Sequence, residues 1–173
     1  MAYASPTPSI YEVFTYYDRE ILPYKNDDVI NAHAMPGAHA ALQAVQDAGL
    51  RCALFTNPSF PQGAIECRMG WGDLADAPFE LVTHMGNATR CKPDATYYLE
   101  QLQAMGLEPH EVLMVGNDPK RDFPSPACGI QTAYVGQGKP GRATWHGTME
   151  DFARDFNAVV EAFYEHQVAD ELS

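Results

Sequence analysis

Nowhere in these 173 residues does an apolar run approach 18, so no membrane-crossing helix is expected. Basic residues are scarce: 11 Lys and Arg against 23 Asp and Glu leave a formal charge of −12. Phosphate backbones and anionic bilayers both need a basic footprint, so neither nucleic acid nor a membrane is expected as a partner. The four cysteines, Cys52, Cys67, Cys91 and Cys128, lie far apart and form no C-x-x-C pair. That spacing argues against a disulfide framework and a zinc site, and for reduced thiols in a cytoplasmic protein. The stretch Met1–Pro8 has neither a basic segment nor an apolar one, so no secretory leader is expected. No internal repeat or low-complexity tract is present.

What remains is ordinary globular composition, 46% apolar and 20% charged, at a length suited to one domain with a small appendage. Ile10, Val13, Phe14, Tyr17 and Ile21 recur at three and four residues, predicting an amphipathic helix with Ser9 as its N-cap. Pro23 and the polar Lys25–Asp28 end it. Ala38–Ala48 reads as a second helix closed by Gly49. Beyond it, short apolar runs predict strands at Cys52–Thr56, Phe79–Thr83, Val112–Val115 and Gln131–Val135. Between them fall a helix within Gln62–Gly70, a helix from Pro93 to Met105 and a helical scrap after Pro126. Gly136–Gly147 reads as a loop. A last helix, Thr148–Val168, carries Phe152, Phe156, Val159, Val160 and Phe163 on one stripe. Strands alternating with helices predict an α/β fold with a parallel sheet covered on both faces. Ligands in such sheets bind beyond the carboxyl ends of the strands. Here those ends are Thr56-Asn57, Thr83 to Lys92, and Gly116 to Asp122.

Three segments at those ends carry chemistry. In Leu113–Asp122 a buried strand ends in Gly116 and presents Asn117, Asp118 and, four positions on, Asp122; oxygen ligands so crowded suit a hard divalent cation, although Gly-Asn-Asp-Pro is also turn composition. In Phe55–Pro58 the Thr56 hydroxyl and the following N–H groups are suited to a phosphoryl oxygen, or to capping the strand end. In Cys91-Lys92-Pro93 a lysine precedes a helix start, where an ammonium meets developing negative charge or simply faces solvent.

Taken together, Thr-Asn at one strand end, Lys-Pro before a helix, and Val-Gly-Asn-Asp with an aspartate four residues on resemble the second, third and fourth motifs of the haloacid dehalogenase-like (HAD) superfamily. The resemblance runs from about Pro36 to Val135. It implies a three-layer Rossmann-like sandwich and Mg²⁺-dependent hydrolysis of a small phosphate ester through an aspartyl-phosphate. It also implies that Thr56 binds the phosphoryl group, that Lys92 stabilises its charge and the nucleophile, that Asn57 belongs with them to the catalytic set, and that Asn117, Asp118 and Asp122 hold or orient the metal. Asn117 stands where many members have aspartate.

The family's first motif, Asp-x-Asp-x-Thr at the end of an apolar strand, occurs nowhere in this sequence. A carboxylate nucleophile has no substitute in that scheme, because the covalent intermediate is an acyl phosphate. Asp18, two before Glu20 in Val13–Leu22, is one candidate nucleophile. The helical spacing of that segment instead resembles the end of the helical cap that many members insert. Residues 1–34 are then a cap remnant and residues 35–173 the core. The central first strand is then missing, its slot filled by the N-terminal segment, by a strand exchanged with a second copy in a homodimer, or by local rearrangement. Little or no activity alone is expected, with a non-catalytic binding protein that dimerises through its open sheet as the alternative. A dehalogenase would need the same aspartate.

Other residues speak more quietly. The six histidines show no metal-ligand spacing, and only His84 lies between site segments, as a candidate substrate contact. Trp71 and Trp145 read as packing residues. The glycines of Gly136–Gly141 lack dinucleotide-binding spacing.

Overall fold

A computed structural model describes residues 7–26 and 31–171. Asp27 and Asp28 of the expected first helix stop lie outside them. Ser9 caps α1 (Ile10–Tyr16) through a reciprocal capping box with Glu12. The chain then continues through a wider π turn, Tyr17–Ile21, and a tight 3₁₀ turn, Leu22–Tyr24, that contains Pro23. These turns pack on α3 (Gln62–Trp71). The apolar stripe of α1 stays largely uncovered, with Ile10 72% and Phe14 55% exposed.

The remaining elements run α2 (Ala38–Asp47), β1 (Cys52–Leu54), α3, β2 (Phe79–Val82), α4 (Ala95–Met105), β3 (Leu113–Gly116), β4 (Gln131–Val135), β5 (Trp145–Gly147), α5 (Met149–Arg154) and α6 (Phe156–Glu171). This is the expected α/β alternation, with three differences. Pro93 stands outside α4, where Asp94 is the N-cap and accepts the Thr96 amide. The loop after β4 contains the short parallel strand β5, which pairs with Ala133–Val135. The expected last helix breaks at Asp155 into α5 and α6.

Every strand pairing is parallel, but the strands form two sheets, β1-β2 and β3-β4-β5. β1 and β3 do not pair with each other. Burial records the difference. In β4, flanked on both sides, Thr132, Ala133 and Val135 are at most 6% exposed. In β1 and β3, paired on one side, Cys52–Leu54 and Leu113–Val115 are only half-buried. Helices cover both faces. Tyr97, Tyr98 and Leu102 of α4 pack with Phe55, Val112 and Met114, so both sheets meet one helix. Leu113 and Val115 point to the other face, against Ala41 of α2 and Phe152, Phe156 and Val159 of α5 and α6. The alternation along β3 therefore builds the three-layer sandwich. Trp145 joins it edge-on to Phe152, 5.4 Å between ring centres, as a packing residue.

Two local devices fix α2 and α5. Gly37 enters α2 with φ of 84°, and a Cβ there would stand 2.6 Å from the Glu150 amide nitrogen. Gly37→Ala is expected to cost about 1–3 kcal/mol in denaturant unfolding, from strain and overpacking together. Thr148 and Asp151 form the capping box of α5, and the Thr148 hydroxyl and amide, with Arg154, hold Asp151 down to a pKa of about 2. A depressed carboxylate contributes stability above its unfolded pKa and loses it as pH falls through the folded one. The α5 cap is therefore expected to hold down to pH ~4 and to loosen between pH ~4 and 2, readable in the Asp151 carboxyl shift by NMR.

Candidate functional site

The carboxyl ends of β1 and β3 converge on Lys92. Its ammonium donates to the Phe55 carbonyl at 2.8 Å and to Asp122 Oδ1 at 2.7 Å, with the two charged side chains only 10% and 13% exposed. Lys92 thus bridges the strand ends that lack a backbone ladder. Its amide donates to Asn57 Oδ1 at 2.9 Å, which ties the loop after β1 to the approach of α4. Asp122 is held as firmly on its other side, where Oδ2 accepts the Asn117 and Asp118 amides at 3.0 and 2.9 Å. Its carbonyl accepts the Tyr98 hydroxyl, and its amide donates to the Asp118 carbonyl at 2.6 Å. Gly116 is what lets this turn fold back on the strand: a Cβ there would lie 2.5 Å from that of Asp122.

Around these groups opens a cleft of about 430 Å³, lined by Asn57, Lys92, Asn117, Asp118, Pro119, Arg121 and Asp122. Five of the residues singled out in the sequence, Asn57, Lys92, Asn117, Asp118 and Asp122, line it together. Thr56 does not. Its hydroxyl turns inward and donates to the Thr83 carbonyl at 2.9 Å. Asp18 sits in the π turn after α1, near Cys67 of α3, whose thiol pKa is raised chiefly by burial and further by this carboxylate, and is not among the lining residues. His84 stays within its own turn, where Nδ1 accepts the Gly86 amide at 3.1 Å.

Sequence reading missed Arg121, which lies in the cleft wall with its guanidinium 3.5 Å from Asp118 Oδ2 and largely exposed. It named Thr83 only as a strand end and missed Tyr97 and Tyr98; all three are buried. Burial pushes both phenols above their ordinary pKa, so they remain protonated donors. The signal for them was the Tyr-Tyr pair five and six residues after Lys92, which placed one phenol toward each strand end.

A divalent cation takes several oxygen ligands from protein and water. Here both Asp122 oxygens are engaged, by Lys92 and by two amides. Asp118 Oδ1 accepts the Lys120 and Arg121 amides, leaving Oδ2 beside the Arg121 guanidinium. Among the described residues no three His, Cys, Asp or Glu side chains converge. The donors that face the cleft do not, by themselves, fit a divalent cation. All four cysteines are free, and among the described residues no helix is long and apolar enough to cross a membrane.

Three comparisons place this arrangement among known proteins. A family model described as haloacid dehalogenase-like hydrolase matches residues 7–128. A phosphoglycolate phosphatase of Rhodospirillum rubrum is 30% identical over 120 residues, which cover 69% of this chain and 48% of that protein. The chain thus spans about half the length of the curated relative it matches. Among solved structures, CbbY from Rhodobacter sphaeroides in complex with phosphate superposes with a TM-score of 0.63 at 12% identity, over 88% of this chain and 70% of that one. A β-phosphoglucomutase from Clostridium difficile gives 0.62 at 17% identity, over 78% and 58%. Likeness at such identities shows the fold alone: a Rossmann-like α/β sandwich.

Proposed function

Because the chain belongs to the haloacid dehalogenase-like hydrolases, we propose that its cleft receives the phosphoryl group of a small phosphate ester and that the chain alone has little or no turnover. The observation that carries this reading is Lys92, a nearly buried ammonium that lines the cleft, fixed between Phe55 and Asp122. A fixed ammonium with little water around it stabilises developing negative charge better than a mobile one. Asn57 and Arg121 add donors on the same wall. A similar protein that hydrolyses phosphoglycolate, by its name, supports a phosphate ester as the ligand class. Low turnover follows from the carboxylates present. An acyl-phosphate route needs a free carboxylate facing phosphorus. Of the two in the cleft wall, Asp122 is engaged at both oxygens and Asp118 is hydrogen-bonded into its own turn.

The test is binding of inorganic phosphate by calorimetry beside phosphate release from an aryl phosphate, for the unmutated chain, Lys92→Ala and Asp18→Asn. Phosphate binding weakened about tenfold or more by Lys92→Ala, with no release above background, is the expected result. Mg²⁺-dependent release lost in Asp18→Asn would make Asp18 the nucleophile and overturn the cap assignment of residues 1–34. Cytoplasmic residence and a separate core at residues 35–173 belong to the same proposal.

Mg²⁺ is the metal the resemblance implies for Asn117, Asp118 and Asp122. With the donor set described, weak binding is expected: about 10 mM MgCl₂ should raise the melting temperature by under ~2 °C. A rise of several degrees, lost in Asp118→Asn, would show that the cleft takes the ion after all.

The split sheet favours a second reading, a non-catalytic binding protein that dimerises by strand exchange. Among the described residues, the half-buried β1 and β3 each have an edge with no partner strand, which could receive such a strand. Light scattering during size exclusion decides the point, since a monomer across a wide concentration range removes strand exchange between copies.

A further inference from the structure

Thr83 and Tyr97 lie outside the cleft and are fully buried, yet between them they hold every polar handle of Thr56. The β1-β2 ladder ends where the Thr83 amide meets the Leu54 carbonyl at 3.0 Å. One residue further, a plain ladder would join the Thr56 amide to the Thr83 carbonyl. Instead the two threonines cross over. The Thr56 amide donates to Thr83 Oγ1 at 2.7 Å, and Thr56 Oγ1 donates to the Thr83 carbonyl at 2.9 Å. Tyr97 then closes a ring. Its hydroxyl lies 2.9 Å from Thr83 Oγ1 and donates to the Thr56 carbonyl at 2.6 Å. Thr83 Oγ1 also lies 2.9 Å from the Thr56 carbonyl, so its proton can go there or to Tyr97; given to Tyr97, the protons run in a single direction: Thr56 N–H to Thr83 Oγ, Thr83 O–H to Tyr97 O, Tyr97 O–H to Thr56 C=O. Hydrogen bonds arranged head to tail in a dry interior strengthen one another.

Thr56 stands between two of the three residues that seat Lys92, the third being Asp122. The Phe55 carbonyl receives its ammonium and Asn57 Oδ1 its amide. We propose that Thr83 and Tyr97 are positioning residues for the anion site, their hydroxyl ring setting the backbone at Thr56 so that Phe55 and Asn57 present Lys92 to the cleft. Tyr97 lies in the first turn of α4, the helix that Lys92 precedes, so the ring ties that connection to one strand end. The inference rests on the phosphoryl-binding reading of the cleft.

Thr83→Val keeps the shape and removes the hydroxyl, Thr83→Ser keeps the hydroxyl, and Tyr97→Phe removes the other one. The full chain and each variant are titrated with inorganic phosphate well below their melting temperatures. Amide ¹H–¹⁵N spectra are recorded without ligand. Thr83→Val and Tyr97→Phe are expected to weaken phosphate binding about fivefold to tenfold and to move the Asn57 and Lys92 amides. Thr83→Ser is expected to restore both. Unmoved Asn57 and Lys92 amides in the two hydroxyl-less variants would overturn the ring's positioning role, as would wild-type phosphate affinity in variants that have only lost stability. If the unmutated chain itself fails to bind phosphate while those amides move and Thr83→Ser restores them, the phosphoryl-binding reading falls and the ring's hold on Lys92 stands.

Discussion

Asp122→Ala is expected to cost about 3–5 kcal/mol of folding stability and to lower the melting temperature by roughly 10 °C or more. The Asp122 carboxylate accepts three donors at once: the Lys92 ammonium and the amides of Asn117 and Asp118. Alanine would leave a nearly buried ammonium with one carbonyl partner and two amides with none, and each orphaned donor carries its own desolvation cost. Removing the charge as well should recover much of the loss, because an apolar pair is often no worse than a buried ion pair. Thermal and urea unfolding of Asp122→Ala, Lys92→Met and the double variant completes the cycle. A strongly non-additive result is expected. Additive effects, or a loss below about 1 kcal/mol for Asp122→Ala, would mean that the pair does not hold the two sheets' ends together. The same cycle separates stability from binding, since the double variant is expected to fold well and to bind no phosphate.

Gly116→Ala is the second large effect. The added Cβ would come within 2.5 Å of Asp122 Cβ and 2.8 Å of its Oδ2. Neither side yields easily. Asp122 is fixed through its carboxylate, amide and carbonyl, and Gly116 is paired with Tyr134 across the β3-β4 ladder. The expected outcome is a loss of about 1–3 kcal/mol from overpacking, together with loss of phosphate binding as the Asp122 turn is pushed off Lys92. Gly70→Ala is the contrast. That glycine lies near the end of α3 with nothing within 4 Å of a built Cβ, and alanine there should stabilise by up to about 1 kcal/mol. Equal effects at both sites would refute a steric role for Gly116.

The parts of the fold that sequence revealed are those where a local pattern coincides with burial. After Gln131, β4 is the run Thr132–Val135 ended by Gly136, and Thr132, Ala133 and Val135 lie buried where that run predicts it. Ser9, Gly49 and Gly106 punctuate the chain as capping chemistry requires. β5 escaped because Trp145–Gly147 is too short for any period to show, and only its pairing with β4 makes it a strand. The break at Asp155 escaped because no proline or glycine marks it, while the apolar stripe runs straight through. In the site, residues at strand ends were visible as Asn57, Lys92, Asn117, Asp118 and Asp122. Thr56 was visible too, but not the direction of its hydroxyl, which depends on Thr83 27 residues away. Tyr97 and Tyr98 were not singled out, because a buried phenol's partner is a matter of tertiary contact.

Sheets that meet at a helix and an ion pair, with no backbone ladder between them among the described residues, need not melt as one. Tyr97, Tyr98 and the Lys92–Asp122 bridge couple β1-β2 to β3-β4-β5. Amide exchange is therefore expected to sort the strands into two cooperative units, with β1 and β2 opening at lower free energy than β4, which is paired on both sides. Each brief opening of the smaller unit also loosens the seat of Lys92. Occupancy of the cleft by an anion should then slow exchange first in β1 and β2, so that ligand binding acts on this molecule chiefly as a brake on partial unfolding.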